Sequence, residues 1–164
     1  MALDHAQHRR EHHATTEEKA SLTELAISAT IHCLTGCAIG EVLGMVIGVA
    51  LGWSNGATVA LSVALAFLFG YSMTVWPLLA GGIALRTAAG LALASDTLSI
   101  TVMEIVDNAV VLMIPGAMDA GLTSLLFWGS LALSLALAFV AALPVNRWLI
   151  GKGRGHALVH AHHS

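Results

Sequence analysis

Apolar residues fill four long stretches of the chain, and polar residues collect between these stretches and at both ends. A helix needs roughly 20 mostly apolar residues to cross the hydrocarbon core of a membrane. Four stretches reach that length: 30–51, 57–76, 97–118 and 122–143. The pattern therefore predicts an all-α, polytopic membrane protein that folds as a four-transmembrane-helix bundle.

The connections between the spans differ in character. Residues 53–56 carry an Asn-Gly pair, which is typical of a tight turn. Residues 77–96 are mostly apolar but include Arg86 and the pair Gly81-Gly82. We therefore predict a short interfacial or re-entrant helix between spans two and three.

Composition agrees with a membrane protein, because 57% of the residues are apolar, 10% are charged and the mean hydropathy is +0.80. These values lie outside the range of soluble domains. The net charge is −3 and no basic stripe is present, which argues against nucleic acid as a partner. The expected surroundings are the lipid bilayer.

The basic residues are distributed unevenly about the spans. All seven lie before the first span, in the second connection or after the fourth span: Arg9, Arg10, Lys19, Arg86, Arg147, Lys152 and Arg154. The first and third connections have none. The positive-inside rule therefore predicts that both termini are cytoplasmic.

This topology divides the chain into a His-containing cytoplasmic tail (1–22), a membrane domain (23–150) and a His-rich cytoplasmic tail (151–164). Eight of the nine histidines fall in the tails: His5, His8, His12, His13, His156, His160, His162 and His163. Such tracts either bind metal or remain solvated without a specific ligand geometry.

Two stripes run along the first span, since residues four apart lie on one face of a helix. One stripe consists of thiol, thiol, carboxyl and thioether groups: Cys33, Cys37, Glu41 and Met45. The neighbouring stripe consists of Gly36, Gly40, Gly44 and Gly48. Stacked GxxxG steps allow close approach of another helix, which belongs either to this chain or to a second copy in a homo-oligomer.

The third span carries a matching polar patch of Met103, Glu104, Asp107 and Asn108. Glu41 and Asp107 both fall near mid-membrane, so we expect the two carboxyl groups to face each other. No Lys or Arg lies within a span to balance these acids. They must therefore either hold protons in a packing network or bind a cation.

Thiol, thioether and imidazole groups beside the acids favour a soft transition metal, with copper(I) first and zinc second. The candidate metal ligands are His32, Cys33, Cys37, Glu41, Met45, Met103, Glu104, Asp107 and Asn108.

The runs HCLTGCAIGE (32–41) and MEIVDN (103–108) also carry a resemblance. Over about residues 28–150 the chain resembles a family of small bacterial four-helix membrane proteins catalogued as a domain of unknown function (DUF4396). The resemblance implies the four-helix fold and a bacterial cytoplasmic membrane. On activity it implies no more than a loose association of some members with copper proteins.

The leading hypothesis is an intramembrane soft-metal binding or transport protein, and enzymatic activity is less favoured. One alternative is a membrane redox or cofactor-binding enzyme subunit using the same acids. A di-haem centre is disfavoured, because His32 is the only histidine near a span. The other alternative is a structural subunit that packs through the glycine stripe.

Overall fold

A computed structural model describes residues 2–152, with side chains from residue 21 onwards, and every regular element in this range is a helix. The helices are α1 (Ala2–Ala50), α2 (Asn55–Ala80), α3 (Leu85–Met113) and α4 (Leu125–Gly151). Each contains a segment long and apolar enough to cross a membrane, which in α1 is Ser21–Ala50. The prediction of an all-α bundle with four spans is confirmed for this part of the chain.

The two His-containing tails, for which metal binding was one of two interpretations, fall largely outside the described residues. His156, His160, His162 and His163 lie outside the described residues, as do the side chains of His5, His8, His12 and His13. Metal binding by the tails therefore stays a prediction.

The predicted interfacial or re-entrant helix between spans two and three is wrong. Helix α2 continues through Pro77 to Ala80, a turn containing Gly82 at φ 84° follows, and α3 begins at Leu85. Residues 85–96 are the first turns of the third span itself. The exposed Arg86 lies in the first turn of α3, where a long basic side chain can reach the headgroup region. Arg86 thus marks the end of a span rather than an interruption.

The first connection also forms differently from the prediction. Gly52, at φ 66°, makes the turn after α1, and the Ser54 hydroxyl caps α2 by accepting a hydrogen bond from the Ala57 N–H at 3.5 Å. Asn55 and Gly56 are the first residues of α2 and are not the turn itself. A serine cap satisfies a free N–H at a helix start and fixes where the helix begins.

The four helices run alternately up and down around a common centre. α1 packs beside α2 and α4, α3 packs beside the same two helices, and α1 meets α3 across the centre. Ala26 and Ala29 of α1 pack with Ile150 of α4, so the first span starts where the fourth ends. At the opposite end, the Asn55 amide donates a hydrogen bond to Asp119 at 3.2 Å and joins the start of α2 to the connection between α3 and α4.

The glycine stripe packs against α2 of the same chain. Successive glycines face residues that step back along α2: Gly36 faces Gly70, Gly40 faces Ala66, Gly44 faces Ser62 and Gly48 faces Thr58. A Cβ atom at Gly36 would lie 2.7 Å from the Gly70 Cα, which leaves no room for any side chain. Self-association through this stripe is not tested by a single chain, but it would require α2 to move away.

Candidate functional site

The centre of the bundle is lined by one face each of α1 and α3. On α3 the buried positions include Asp96, Ser99, Met103, Asp107 and Val111, which recur every three or four residues. On α1 the facing buried positions are Cys33, Cys37 and Glu41. Because both helices run in the same direction, equal steps along each keep their side chains in register.

Three levels of contact follow from this register. The Cys33 thiol lies beside the Ser99 hydroxyl. One turn further on, the Cys37 thiol contacts the Glu104 carboxyl. At the third level, the Glu41 carboxyl meets the Asp107 carboxyl, which confirms that these two groups face each other between the first and third spans.

Three acids form the chemical centre of this interface, and we call Glu41, Glu104 and Asp107 the acidic cluster. They are 5%, 8% and 3% exposed, respectively. The side chains of Glu41 and Glu104 both lie close enough to Asp107 to interact with it electrostatically. Three carboxyl groups are thus held together in the interior of the bundle.

Hydrogen bonding inside the acidic cluster is uneven. The Asn108 side-chain amide donates to the Glu104 carboxylate at 3.5 Å and to the Glu104 backbone carbonyl at 2.9 Å. Neither carboxylate oxygen of Asp107 receives a hydrogen bond from an amide N–H or a hydroxyl group among the described residues, and its hydrogen-bonding contact is the Glu41 carboxyl group. Asp107 therefore interacts with two other acids, Glu41 and Glu104.

No lysine or arginine side chain offsets this charge in the described part of the chain. The described side chains of this kind, Arg86, Arg147 and Lys152, are all exposed. Two buried carboxylates in contact cannot both stay charged without a cation between them, since desolvation and repulsion both oppose it. The acidic cluster therefore requires bound protons or a bound cation.

The other predicted ligands lie around the acidic cluster rather than in it. Met103 is buried in an apolar core with Cys33 and Cys37. His32 is half-buried at the level of Cys33. Met45 lines a separate cavity of about 60 Å³ near the turn between α1 and α2.

A preformed metal site is not part of this arrangement. Among residues 21–152, no three or more His, Cys, Asp or Glu side chains converge as metal ligands do. A metal ion at the acidic cluster would therefore require its side chains to turn towards a common point on binding.

Sequence analysis missed a second polar level in the bundle. Asp96 is fully buried, and one of its oxygens accepts a hydrogen bond from the Ser95 hydroxyl at 2.7 Å. Nearby in the bundle, the Asn146 amide of α4 donates to the Thr30 hydroxyl of α1 at 2.8 Å. Asp96 is spaced from Met103 and Asp107 so that all three lie on one face of α3. Assigning residues 85–96 to the third span would therefore have placed Asp96 among the predicted site residues.

Four spanning helices around a centre lined with acids and thiols define a polytopic membrane protein with a buried ionisable site. Within that class, the chain belongs to the family described as a domain of unknown function (DUF4396), whose model matches residues 24–155. This match confirms the resemblance seen in the sequence. No curated protein matches the chain, and no solved structure does.

Proposed function

We propose that the protein binds a cation inside the membrane at the acidic cluster and carries it across, with copper(I) as the first candidate cargo and zinc as the second. One observation carries this proposal. Asp107 is 3% exposed, has no amide or hydroxyl donor among the described residues, and is faced by Glu41 and Glu104.

The energetic argument starts from the cost of the buried acids. Ionisable groups within membrane spans are expensive, and they usually line an ion pathway or pair with a partner. A packing role alone would be served at lower cost by apolar or amide side chains of similar volume. The acids are consistent with a function that compensates for this cost, and a cation held between them would neutralise their charge.

Sulfur next to the acids favours a soft metal. Carboxylates alone suit hard ions such as magnesium and calcium, whereas thiolates select copper(I) and zinc. The Cys37 thiol contacts Glu104, and Cys33 lies one turn away on the same face of α1. The proposed ligands at the cluster are therefore Cys37, Glu41, Glu104 and Asp107.

A second candidate is a site that carries only protons. It is favoured by the absence of converging metal ligands among residues 21–152. In this alternative one proton is shared between Glu41 and Asp107, and the thiols serve only as small buried groups.

The test measures metal bound to detergent-purified protein, for zinc and for silver(I) as an air-stable stand-in for copper(I). Glu41→Gln removes one carboxylate and keeps the shape, while Glu24→Gln is the control because Glu24 is an exposed acid on the same helix. We expect Glu41→Gln to lose about tenfold or more in affinity and Glu24→Gln to match the wild type.

Metal binding should also weaken as the pH falls from about 8 to about 5, because the ion and protons compete for the same oxygen and sulfur atoms. Equal binding by wild type and Glu41→Gln across this range would contradict the proposal. A wild type that binds no metal, but shows an infrared carboxylic-acid band that Glu41→Gln removes, would show that the acidic cluster holds protons instead of a metal ion.

The orientation is proposed from the charge distribution. Both ends of the membrane domain lie on one side of the bundle, and the basic residues near the spans lie on that side. We infer that this side is the cytoplasm and, from the bacterial family that the chain resembles, that the membrane is a bacterial cytoplasmic membrane. Cysteines introduced as Asn55→Cys and Asp119→Cys should react with an impermeant thiol reagent in intact cells, and labelling only after lysis would reverse the orientation.

A further inference from the structure

A second group of buried polar residues lies on the side of the acidic cluster where the chain ends of the membrane domain meet. We call it the inner polar layer, and it consists of Thr30, Cys33, Asp96, Ser99 and Asn146. These residues come from α1, α3 and α4, and each is at most 4% exposed. Cys33 and Glu41 are two turns apart on α1, so the layer lies about 12 Å from the acidic cluster.

The donor set of the inner polar layer resembles that of the acidic cluster. Asp96 supplies a fully buried carboxyl group and acts electrostatically on the Cys33 thiol. The Ser99 hydroxyl lies beside the same thiol, is fully buried, and has no nitrogen or oxygen partner among the described residues. A buried hydroxyl without an oxygen or nitrogen partner is costly, and a cation beside it would use its lone pairs.

The two groups are joined by a continuous row of side chains. Cys37 lies one turn from Cys33 and one turn from Glu41, and its thiol contacts Glu104. Each step along α1 is therefore about 6 Å, a distance that an ion can cross while leaving one ligand and gaining the next. The row runs along the α1–α3 interface, and the described lysine and arginine side chains are all exposed, away from it.

We propose that the inner polar layer is a second binding station for the same cation, in series with the acidic cluster. The inference rests on the proposed function, since it assigns the layer to the path of that ion. Asp96 and Cys33 are its principal ligands, and Ser99 supplies a neutral oxygen. The layer receives the ion from the side where the membrane domain begins and ends, and passes it by way of Cys37 to the acidic cluster.

The decisive variant is Asp96→Asn, reconstituted in lipid vesicles and compared with the wild type for two readouts. Equilibrium binding of silver(I) or zinc at the acidic cluster should persist, whereas the rate of ion uptake should fall about tenfold or more through the loss of a charged ligand. Glu24→Gln is the control for loss of an acid, because Glu24 is exposed on α1. It should keep both binding and uptake.

A second variant covers the case in which Asp96→Asn does not fold. Ser99→Ala removes only the hydroxyl, and its control is Ser134→Ala, an equally buried serine on α4 that donates to the Leu131 carbonyl. The second station is supported if Ser99→Ala takes up the ion more slowly than Ser134→Ala while both variants still bind the ion at the acidic cluster. If the folded Asp96→Asn and Ser99→Ala variants bind the ion and take it up at the wild-type rate, the second station is wrong. The proposed function of the acidic cluster would then still stand. Absence of ion binding in the wild type removes the proposed function, and the second station with it.

Discussion

Helix α1 contacts two neighbours through two faces of opposite chemistry. Its glycine face lies against α2, where Gly36, Gly40, Gly44 and Gly48 bring the two backbones into contact. Its polar face meets α3 across the centre, where acids and thiols lie side by side and no lysine or arginine of the described part of the chain is buried with them. Both faces repeat every four residues, yet one brings two backbones into contact and the other buries several ionisable groups together.

The difference indicates that the two faces of α1 contribute unequally to the stability of the bundle. In a membrane the association of helices depends on close packing, because lipid tails solvate apolar side chains as well as the protein interior does. The α1–α2 interface provides that packing. The α1–α3 interface is energetically costly by comparison, and the fold tolerates it because α1 is held in place by α2 and α4.

The largest expected effect comes from filling the glycine face. In Gly40→Ala the new Cβ would overlap the backbone of Ala66, so the helices must separate. We expect a loss of about 3 kcal/mol or more in the free energy of unfolding, the upper end of overpacking effects. The measurement is denaturation in mixed micelles, followed by circular dichroism.

The matched control for this change is Gly129→Ala, since Gly129 lies within α4 and a Cβ there has no neighbour within 4 Å. It should be neutral, or stabilising by up to about 1 kcal/mol through helix propensity. Equal losses in both variants would show that the glycine face has no special role in packing.

The second largest effect is a loss of silver(I) affinity, which tests whether the thiols of the polar face bind metal or only fill space. The double change Cys33→Ser and Cys37→Ser keeps side-chain size and removes both thiols, so silver(I) affinity should fall about a hundredfold while the protein still folds. Met113→Leu is the control, because it removes a sulfur atom that is 80% exposed at the end of α3. Full retention of silver(I) by the double variant would reduce both thiols to packing groups.

A third substitution should change the free energy of unfolding in the opposite direction to Gly40→Ala. Asp107→Asn removes a buried acid that faces two others, so the free energy of unfolding should stay unchanged or rise by about 1 kcal/mol. The same micelle denaturation reports the change, and metal titration should show weaker binding. A loss of stability comparable to that of Gly40→Ala would instead make the acidic cluster a structural element.

The smallest expected losses in the free energy of unfolding come from breaking one of two hydrogen bonds, which lie at opposite ends of the bundle. Asn146→Ala breaks a buried bond to Thr30 and should cost about 1 kcal/mol, whereas Asn55→Ala breaks an exposed bond to Asp119 and should cost about 0.5 kcal/mol or less. Thermal unfolding of the two variants in one detergent gives the comparison. The reverse order would indicate that the bond between α2 and the α3–α4 connection stabilises the bundle more than the buried bond does.

Much of the architecture was determined by local sequence patterns. The number of spans follows from the length of each apolar run, because the bilayer sets a minimum length for a spanning helix. The grouping of Cys33, Cys37 and Glu41 follows from their four-residue spacing, since helical geometry alone puts them on one face. The meeting of Glu41 with Asp107 was also predictable, because both lie near the middle of parallel spans.

Only the tertiary structure decided which helix each face meets and where the third span begins. The glycine stripe fits any close-packing helix, and its contact with α2 depends on the up-and-down arrangement of the whole bundle. The start of α3 at Leu85 depends on Arg86 lying at the end of the span, which no local pattern distinguishes from an interruption. Asp96 joined the buried interior for the same reason, since its burial results from three other helices packing around α3 and not from its own neighbours in sequence.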